Sequence, residues 1–162
     1  MLFRSVGADA FGANIVRGVF THYKREEDTS KTSGKFDEEL SRMNTLADML
    51  HPHTLILFNE SFASTNEREG SEIARQIVTA LLDSDLKVFF VTHLYPFAHA
   101  MEEMNVRSAL FLRAERREDG SRTFKLFEGK PLETSFGEDL YKKIFGADAE
   151  AQQAPPRLRA RA

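Results

Sequence analysis

Two polar clusters follow short apolar runs, and their residue types suit phosphate chemistry. Glu60 comes two residues after the run 54–58 (TLILF), and His93 comes two residues after the run 87–91 (KVFFV). A carboxylate can orient an attacking water and help to hold Mg²⁺, while an imidazole can contact a terminal phosphate. Either residue alone is more commonly a structural polar group at a strand end. Together, at the ends of adjacent strands, Glu60 and His93 favour nucleotide hydrolysis, with both as catalytic candidates.

The elements that must position this pair have the pattern of an α/β fold. The two apolar runs are typical of strands buried on both faces of a parallel sheet. Between them, Ile73, Ile77 and Leu81 recur every four residues and predict a helix over 69–82. A strand, helix and strand in this order cross over into a parallel pair, whose carboxyl ends meet at one edge of the sheet.

The residues before this unit predict one more strand and one more helix. The β-branched and aromatic residues of 15–23 predict a strand with a bulge at Gly18, and the charged residues 24–35 predict a surface loop. Apolar residues at helical spacing from Phe36 to Leu50 then predict a helix that Pro52 closes. We place four residues on its solvent face: Asp37, Glu38, Glu39 and Arg42.

The C-terminal third predicts a hairpin and a tail. A short helix is expected over 96–104, and the runs 109–113 and 123–127 flank an Asp-Gly turn, which is typical of an antiparallel hairpin. A last helix is expected over 136–145. Residues 147–162 are mostly Ala, Gln, Pro and Arg, and we expect them to be disordered.

Composition narrows the class of protein. The 162 residues are 41% hydrophobic and carry a net charge of -3, which predicts one globular domain over 1–146 and no general attraction to nucleic acid. There is no cysteine and no apolar run of the roughly 18 residues that a membrane span needs. We therefore expect no membrane association and a cytoplasmic location.

Several segments in the same order resemble MutS-family mismatch-repair ATPases. The stretch 59–70 (NESFASTNEREG) resembles the family's Walker B segment and the loop after it, and Val19-Phe20-Thr21 its Ile-Phe-Thr. Thr92-His93-Leu94 is similar to its Thr-His-Tyr, and two further matches are Ser33-Gly34-Lys35 and Ser135-Phe136-Gly137. The resemblance covers about residues 10–146. It implies part of an ABC-type P-loop NTPase sheet, with parallel strands flanked by helices and a C-terminal hairpin.

The resemblance also implies roles for individual residues. Glu60 would position the attacking water, His93 would sense the γ-phosphate, and Asn59 with Glu60 would help to bind Mg²⁺. Ser64 and Thr65 would lie in a loop that crosses to a second MutS-like subunit, although Asn66 and Glu69 also favour a helix cap there. Ser33 and Gly34 would begin a segment that faces the partner's ATP. DNA would be bound through domains not present here.

Two departures from the family pattern weaken nucleotide binding. Asn59 stands where the family has an aspartate, so this position contributes no negative charge. The sequence also lacks a Gly-x-x-x-x-Gly-Lys-Ser/Thr loop, since Gly34-Lys35 is followed by Phe and Gly129-Lys130 by Pro. We expect the chain to be a fragment that binds ATP weakly or not at all and has no ATPase activity alone.

Two other functions stay open. A non-catalytic interaction or dimerisation module derived from such a domain would explain both departures. Another ABC-like ATPase, of the SMC or transporter type, would also place an acid after an apolar strand and use a switch histidine, but its Ser-Gly-Gly signature is absent.

Overall fold

The computed structural model describes residues 9–23, 34–117 and 120–133, with positions 137, 141 and 145. It is an α/β structure with two compact units, Met1–Met101 and Glu102–Ala162. Five strands and three helices lie in the described residues: β1 Val19–Tyr23, α1 Lys35–Ala47, β2 Leu55–Asn59, α2 Glu67–Asp83, β3 Lys87–Val91, α3 Tyr95–Glu103, β4 Leu112–Arg116 and β5 Arg122–Glu128. None of these described helices is long and apolar enough to cross a membrane.

The first unit is built on a three-stranded parallel sheet in the order β1-β2-β3. Asn59 at the end of β2 pairs with Tyr23 on one side and with Val91 on the other. All three strands therefore finish level at one edge, which confirms the parallel arrangement predicted from the apolar runs. The next residues of β2 and β3 leave the sheet at that edge.

One face of the sheet carries the hydrophobic core. Ile56 and Phe58 of the central strand are fully buried, and the Phe58 ring stacks on Phe90 at 4.8 Å between centroids. Phe90 in turn contacts Phe97 of α3 at 4.8 Å. Residues of the three helices and of the connections next to β2 and β3 complete the buried apolar set: Met43, Leu46, Phe62, Ala74, Val78, Leu81, Leu86, Leu94 and Met101.

The opposite face is open, so the prediction of strands buried on both faces is wrong for the described residues. Val19, Tyr23, Phe89 and Val91 on this face are 58%, 45%, 52% and 46% exposed. The apolar runs supply side chains to both faces, because neighbouring residues of a strand point in opposite directions. The described helices cover only one face.

Predicted boundaries of β1, α1 and α2 also differ. β1 begins at Val19 instead of Ile15, which is completely exposed, and the Gly18 carbonyl accepts a hydrogen bond from Leu55 N at 3.0 Å. α1 ends at Ala47, before the predicted stop at Pro52. α2 is confirmed but begins two residues early, at Glu67, because the Asn66 side chain caps it.

The second unit contains the predicted antiparallel hairpin of β4 and β5. β4 begins at Leu112, three residues after the predicted start, because Ala109 closes a turn by donating from its N–H to the Val106 carbonyl. Gly120 has the positive φ (77°) expected of the turn. The predicted helix over 136–145 falls largely outside the described residues, and the predicted tail, 147–162, wholly outside them.

Replacing Gly70 with alanine tests the packing below the sheet edge. A Cβ at this helical position would lie 2.1 Å from the Phe62 carbonyl oxygen, so backbone must move. Helix propensity alone predicts a gain of about 1 kcal/mol, but we expect a loss of at least about 2 kcal/mol. Urea denaturation measures the change. Gly12→Ala, in open space, is the control and should stay within about 0.5 kcal/mol; equal effects would contradict the close approach.

Candidate functional site

Glu60 and His93 lie together at the carboxyl edge of the sheet. The Glu60 N–H donates to the Val91 carbonyl at 2.9 Å, which continues the β2–β3 pairing by one residue. The Glu60 carboxylate contacts His93 Nδ1 through Oε2. The side chains of Glu60 and His93 are 32% and 61% exposed, so the pair is accessible to a ligand. A carboxylate and an imidazole in contact can share or relay a proton.

The backbone after β2 turns sharply to leave Glu60 at this edge. Glu60 and Phe62 have φ values of 53° and 64°, in the left-handed region that non-glycine residues rarely adopt. Phe62 is fully buried and stacks on the His22 ring at 5.3 Å. The turn after β3 is fixed by the Thr92 hydroxyl, which accepts from Leu94 N at 2.9 Å. Both catalytic candidates therefore stand on turns anchored in the core.

A buried polar network lies directly below Glu60. His22 and Ser61 are fully buried and Glu39 is 4% exposed. Ser61 Oγ lies 2.9 Å from His22 Nδ1 and 2.6 Å from the His22 carbonyl oxygen, and His22 Nε2 donates to the Glu39 carbonyl at 3.2 Å. The Glu39 carboxylate accepts from Phe62 N at 2.7 Å. The network joins β1 and α1 to the Glu60 turn.

The placement of Glu39 on the solvent face of α1 is therefore wrong. Glu39 points inward on the same side of the helix as Met43 and Leu46. Its carboxylate accepts a hydrogen bond from the N–H of Phe62, which follows the end of β2 and is not paired in the sheet. The sequence alone assigned no role to His22 or Ser61. One signal for His22 was available in the sequence: it lies two residues after Phe20 in the predicted strand, so both side chains point to the same face.

Burial lowers the pKa of His22 below the ordinary 6.5, and the hydrogen bond to the Glu39 carbonyl only partly offsets this. The imidazole is thus held neutral. Since the Glu39 carbonyl can only accept, the proton of the neutral ring lies on Nε2. Nδ1 is then an acceptor, and the single hydroxyl proton of Ser61 is within reach of both Nδ1 and the His22 carbonyl.

The other predicted site residues are placed as follows. Thr65 donates its hydroxyl to the Glu69 carboxylate at 2.9 Å, and Glu69 N donates to the Asn66 side chain at 2.9 Å, which confirms the helix cap. Ser64 is half-buried in the same loop. Gly34 directly precedes α1 in an extended conformation. Ser33 lies outside the described residues.

Asn59 lies on the open face of the sheet. It is exposed and shares a shallow, largely apolar cavity with residues of all three strands: Tyr23, Leu57, Phe58, Phe89 and Val91. Among the described residues no group of three or more His, Cys, Asp or Glu side chains could hold a metal ion. The consecutive residues Asn59 and Glu60 offer one amide oxygen and one carboxylate. Oxygen donors of this kind fit Mg²⁺, which takes its remaining ligands from phosphate and water.

Comparison with curated proteins finds two MutS-type relatives. The chain is 27% identical over 138 residues to the DNA mismatch repair protein MutS of Streptococcus equi subsp. equi, covering 82% of this chain and 16% of that protein. It is 27% identical over 96 residues to Endonuclease MutS2 of Thermus thermophilus, covering 57% of this chain and 13% of that protein. These matches support a relationship to the MutS family.

The relationship confirms the resemblance drawn from the sequence motifs. The MutS-related chain spans less than a fifth of the length of either relative. No protein-family model matches it.

The lowered pKa of His22 predicts a loss of stability in mild acid. The unfolded chain binds a proton at the ordinary pKa of 6.5, whereas the folded chain resists protonation. The free energy of unfolding should therefore be highest above pH 6.5 and fall below it, by at most about 1.4 kcal/mol per pH unit for this one proton. Urea denaturation at a series of pH values measures the slope. His22→Gln should flatten it, whereas the exposed His51→Gln should not; an unchanged slope in His22→Gln would contradict a neutral, buried imidazole.

Proposed function

We propose that the chain is the distal part of a MutS-type ATPase domain, and that its sheet is part of an ABC-type P-loop NTPase fold. One observation carries the proposal: Glu60 and His93 are in contact at the carboxyl edge of neighbouring parallel strands. Ligands of open α/β sheets bind at this edge. The relationship to MutS proteins supports the same assignment.

In this proposal Glu60 orients the water that attacks the terminal phosphate of ATP. His93 holds the carboxylate through Nδ1, and its Nε2 edge is available to the phosphate. A bound Mg²⁺ would neutralise phosphate charge, with Asn59 and Glu60 as the oxygen donors that this chain supplies. Because Asn59 is uncharged, it contributes less to metal affinity than an aspartate would.

The remaining parts of such a site come from outside these 162 residues. The sequence has no P-loop, so the phosphates must be held by another segment or another chain. Ser64, Thr65, Ser33 and Gly34 are the residues we assign to the side that faces a second MutS-like subunit. DNA recognition, which the name of one relative implies for that protein, would belong to other domains.

The decisive experiment measures ATP hydrolysis in a longer protein that joins these residues to a P-loop. Glu60→Gln should lower kcat at least about 100-fold, because the water loses its general base, while ATP binding is kept. The exposed Glu67→Gln, a matched change seven residues away, should leave kcat unchanged. The isolated chain should hydrolyse ATP only at background. Unchanged turnover in Glu60→Gln would remove Glu60 from this role.

A non-catalytic dimerisation module is the second candidate, and the open sheet face favours it. Apolar surface is exposed on this face by Val19, Tyr23, Phe89 and Val91. In addition, Asn59 supplies no negative charge for a metal ion. Exposed apolar surface of this kind marks interaction sites. A longer protein that binds no ATP yet forms a stable dimer would support this candidate over the ATPase.

A further inference from the structure

The turn that carries Glu60 is anchored by β1 and α1, and not only by the strands β2 and β3. Ser61 is tied to His22 of β1, and Phe62 N is tied to the Glu39 carboxylate of α1. Glu60 itself is fixed to the sheet by its own N–H at 2.9 Å from the Val91 carbonyl. The direction of its side chain therefore depends on the two residues that follow it.

This arrangement costs free energy, so the fold must hold it in place. Glu60 and Phe62 both occupy the left-handed region of φ, which is unfavourable for residues with a Cβ. The Glu39 carboxylate is buried, and within the part of the chain that the structure describes its Oε2 has no hydrogen-bond partner. A buried acid of this kind is destabilising unless its contacts are strong. Its bond to Phe62 N is short, at 2.7 Å, and it opposes relaxation of the turn.

The network does not itself do chemistry. His22 and Ser61 resemble a nucleophile and its base, but both are fully buried and have no access to a substrate. His22 Nε2 is occupied by the Glu39 carbonyl at 3.2 Å, where a catalytic pair would need an orienting carboxylate. These residues can act only through the position of the turn above them.

We propose that His22, Glu39 and Ser61 are positioning residues that hold the Glu60 carboxylate against His93 and make that contact depend on the position of α1. A shift of α1 withdraws the acceptor from Phe62 N, and the turn relaxes and carries Glu60 away from His93. The catalytic meaning of this coupling rests on the proposed function, in which Gly34 belongs to the segment that faces the second subunit. α1 begins directly after Gly34. Engagement of that subunit then sets the geometry of Glu60.

The side-chain nitrogens of His93 report the contact in the 162-residue chain without any nucleotide. A neutral imidazole that donates to Glu60 carries its proton on Nδ1, whereas a free imidazole in water prefers Nε2. Long-range ¹H–¹⁵N correlation spectra at about pH 9.5, far above the ordinary imidazole pKa of about 6.5, distinguish the two forms. Glu60→Ala defines the spectrum of the lost contact.

We expect the Nδ1–H form in the wild-type chain and its loss in Glu39→Ala, with His93 shifts that move to those of Glu60→Ala. Glu39→Gln keeps an acceptor oxygen for Phe62 N and should retain the wild-type shifts. Asp37→Ala removes an exposed acid from the same helix and should also retain them. Loss of folding alone would not give this pattern of rescue. If Glu39→Ala does not fold, Ser61→Ala decides, since it removes only the hydroxyl and should shift His93 in the same direction.

Unchanged His93 shifts in folded Glu39→Ala, or in folded Ser61→Ala where Glu39→Ala does not fold, would overturn the positioning role while leaving the Glu60–His93 pair intact. A wild-type chain in which His93 already matches Glu60→Ala would instead remove the contact on which the proposed function depends. The two failures are thus separate.

Discussion

The parallel pairing of β2 with β3 is the constraint on which the site depends. Asn59, the last residue of β2, is level with Val91, the last residue of β3, so both strands end at the same edge of the sheet. Glu60 is the first residue after β2, and His93 is the second residue after β3. The hydrogen bond from Glu60 N to the Val91 carbonyl extends the ladder past its last pair. A slip by one residue would place the carboxylate on the other face, since side chains alternate along a strand.

Below this edge, packing and polar bonding act on the same few residues. Phe62 fills the core and is held from one side by Glu39, while Gly70 allows α2 to approach its carbonyl oxygen. Any side chain at Gly70 would meet backbone, and any apolar residue at Glu39 would leave Phe62 N without its acceptor. The Glu60–His93 pair thus stands above Phe62, which is held by a hydrogen bond to Glu39 and by close packing against Gly70.

Much of this could be predicted from the sequence, and the failures have physical causes. Apolar runs and helical spacing predicted both ends of β3 correctly and the ends of β2, α2 and α3 to within one or two residues. They did so because the spacing of apolar residues reflects which side chains are buried. The order of the strand ends brought Glu60 and His93 to one edge. The burial of Glu39 could not be predicted, because in the sequence it looks like any charged residue on the solvent face of a helix. Only the fold shows the Phe62 N–H that donates to its carboxylate. Double-sided burial was predicted from the apolar runs, yet a run of this kind says only that both faces are apolar, not that both are covered.

In the proposed function Glu60 and His93 attend one phosphate. A structure of a longer, P-loop-containing protein with Mg²⁺ and a non-hydrolysable ATP analogue would show whether they do. We predict a water between the Glu60 carboxylate and the terminal phosphate, with His93 within hydrogen-bond distance of that phosphate. Nucleotide bound elsewhere, or Glu60 turned away from the phosphate with His93 unengaged, would contradict this role of the pair.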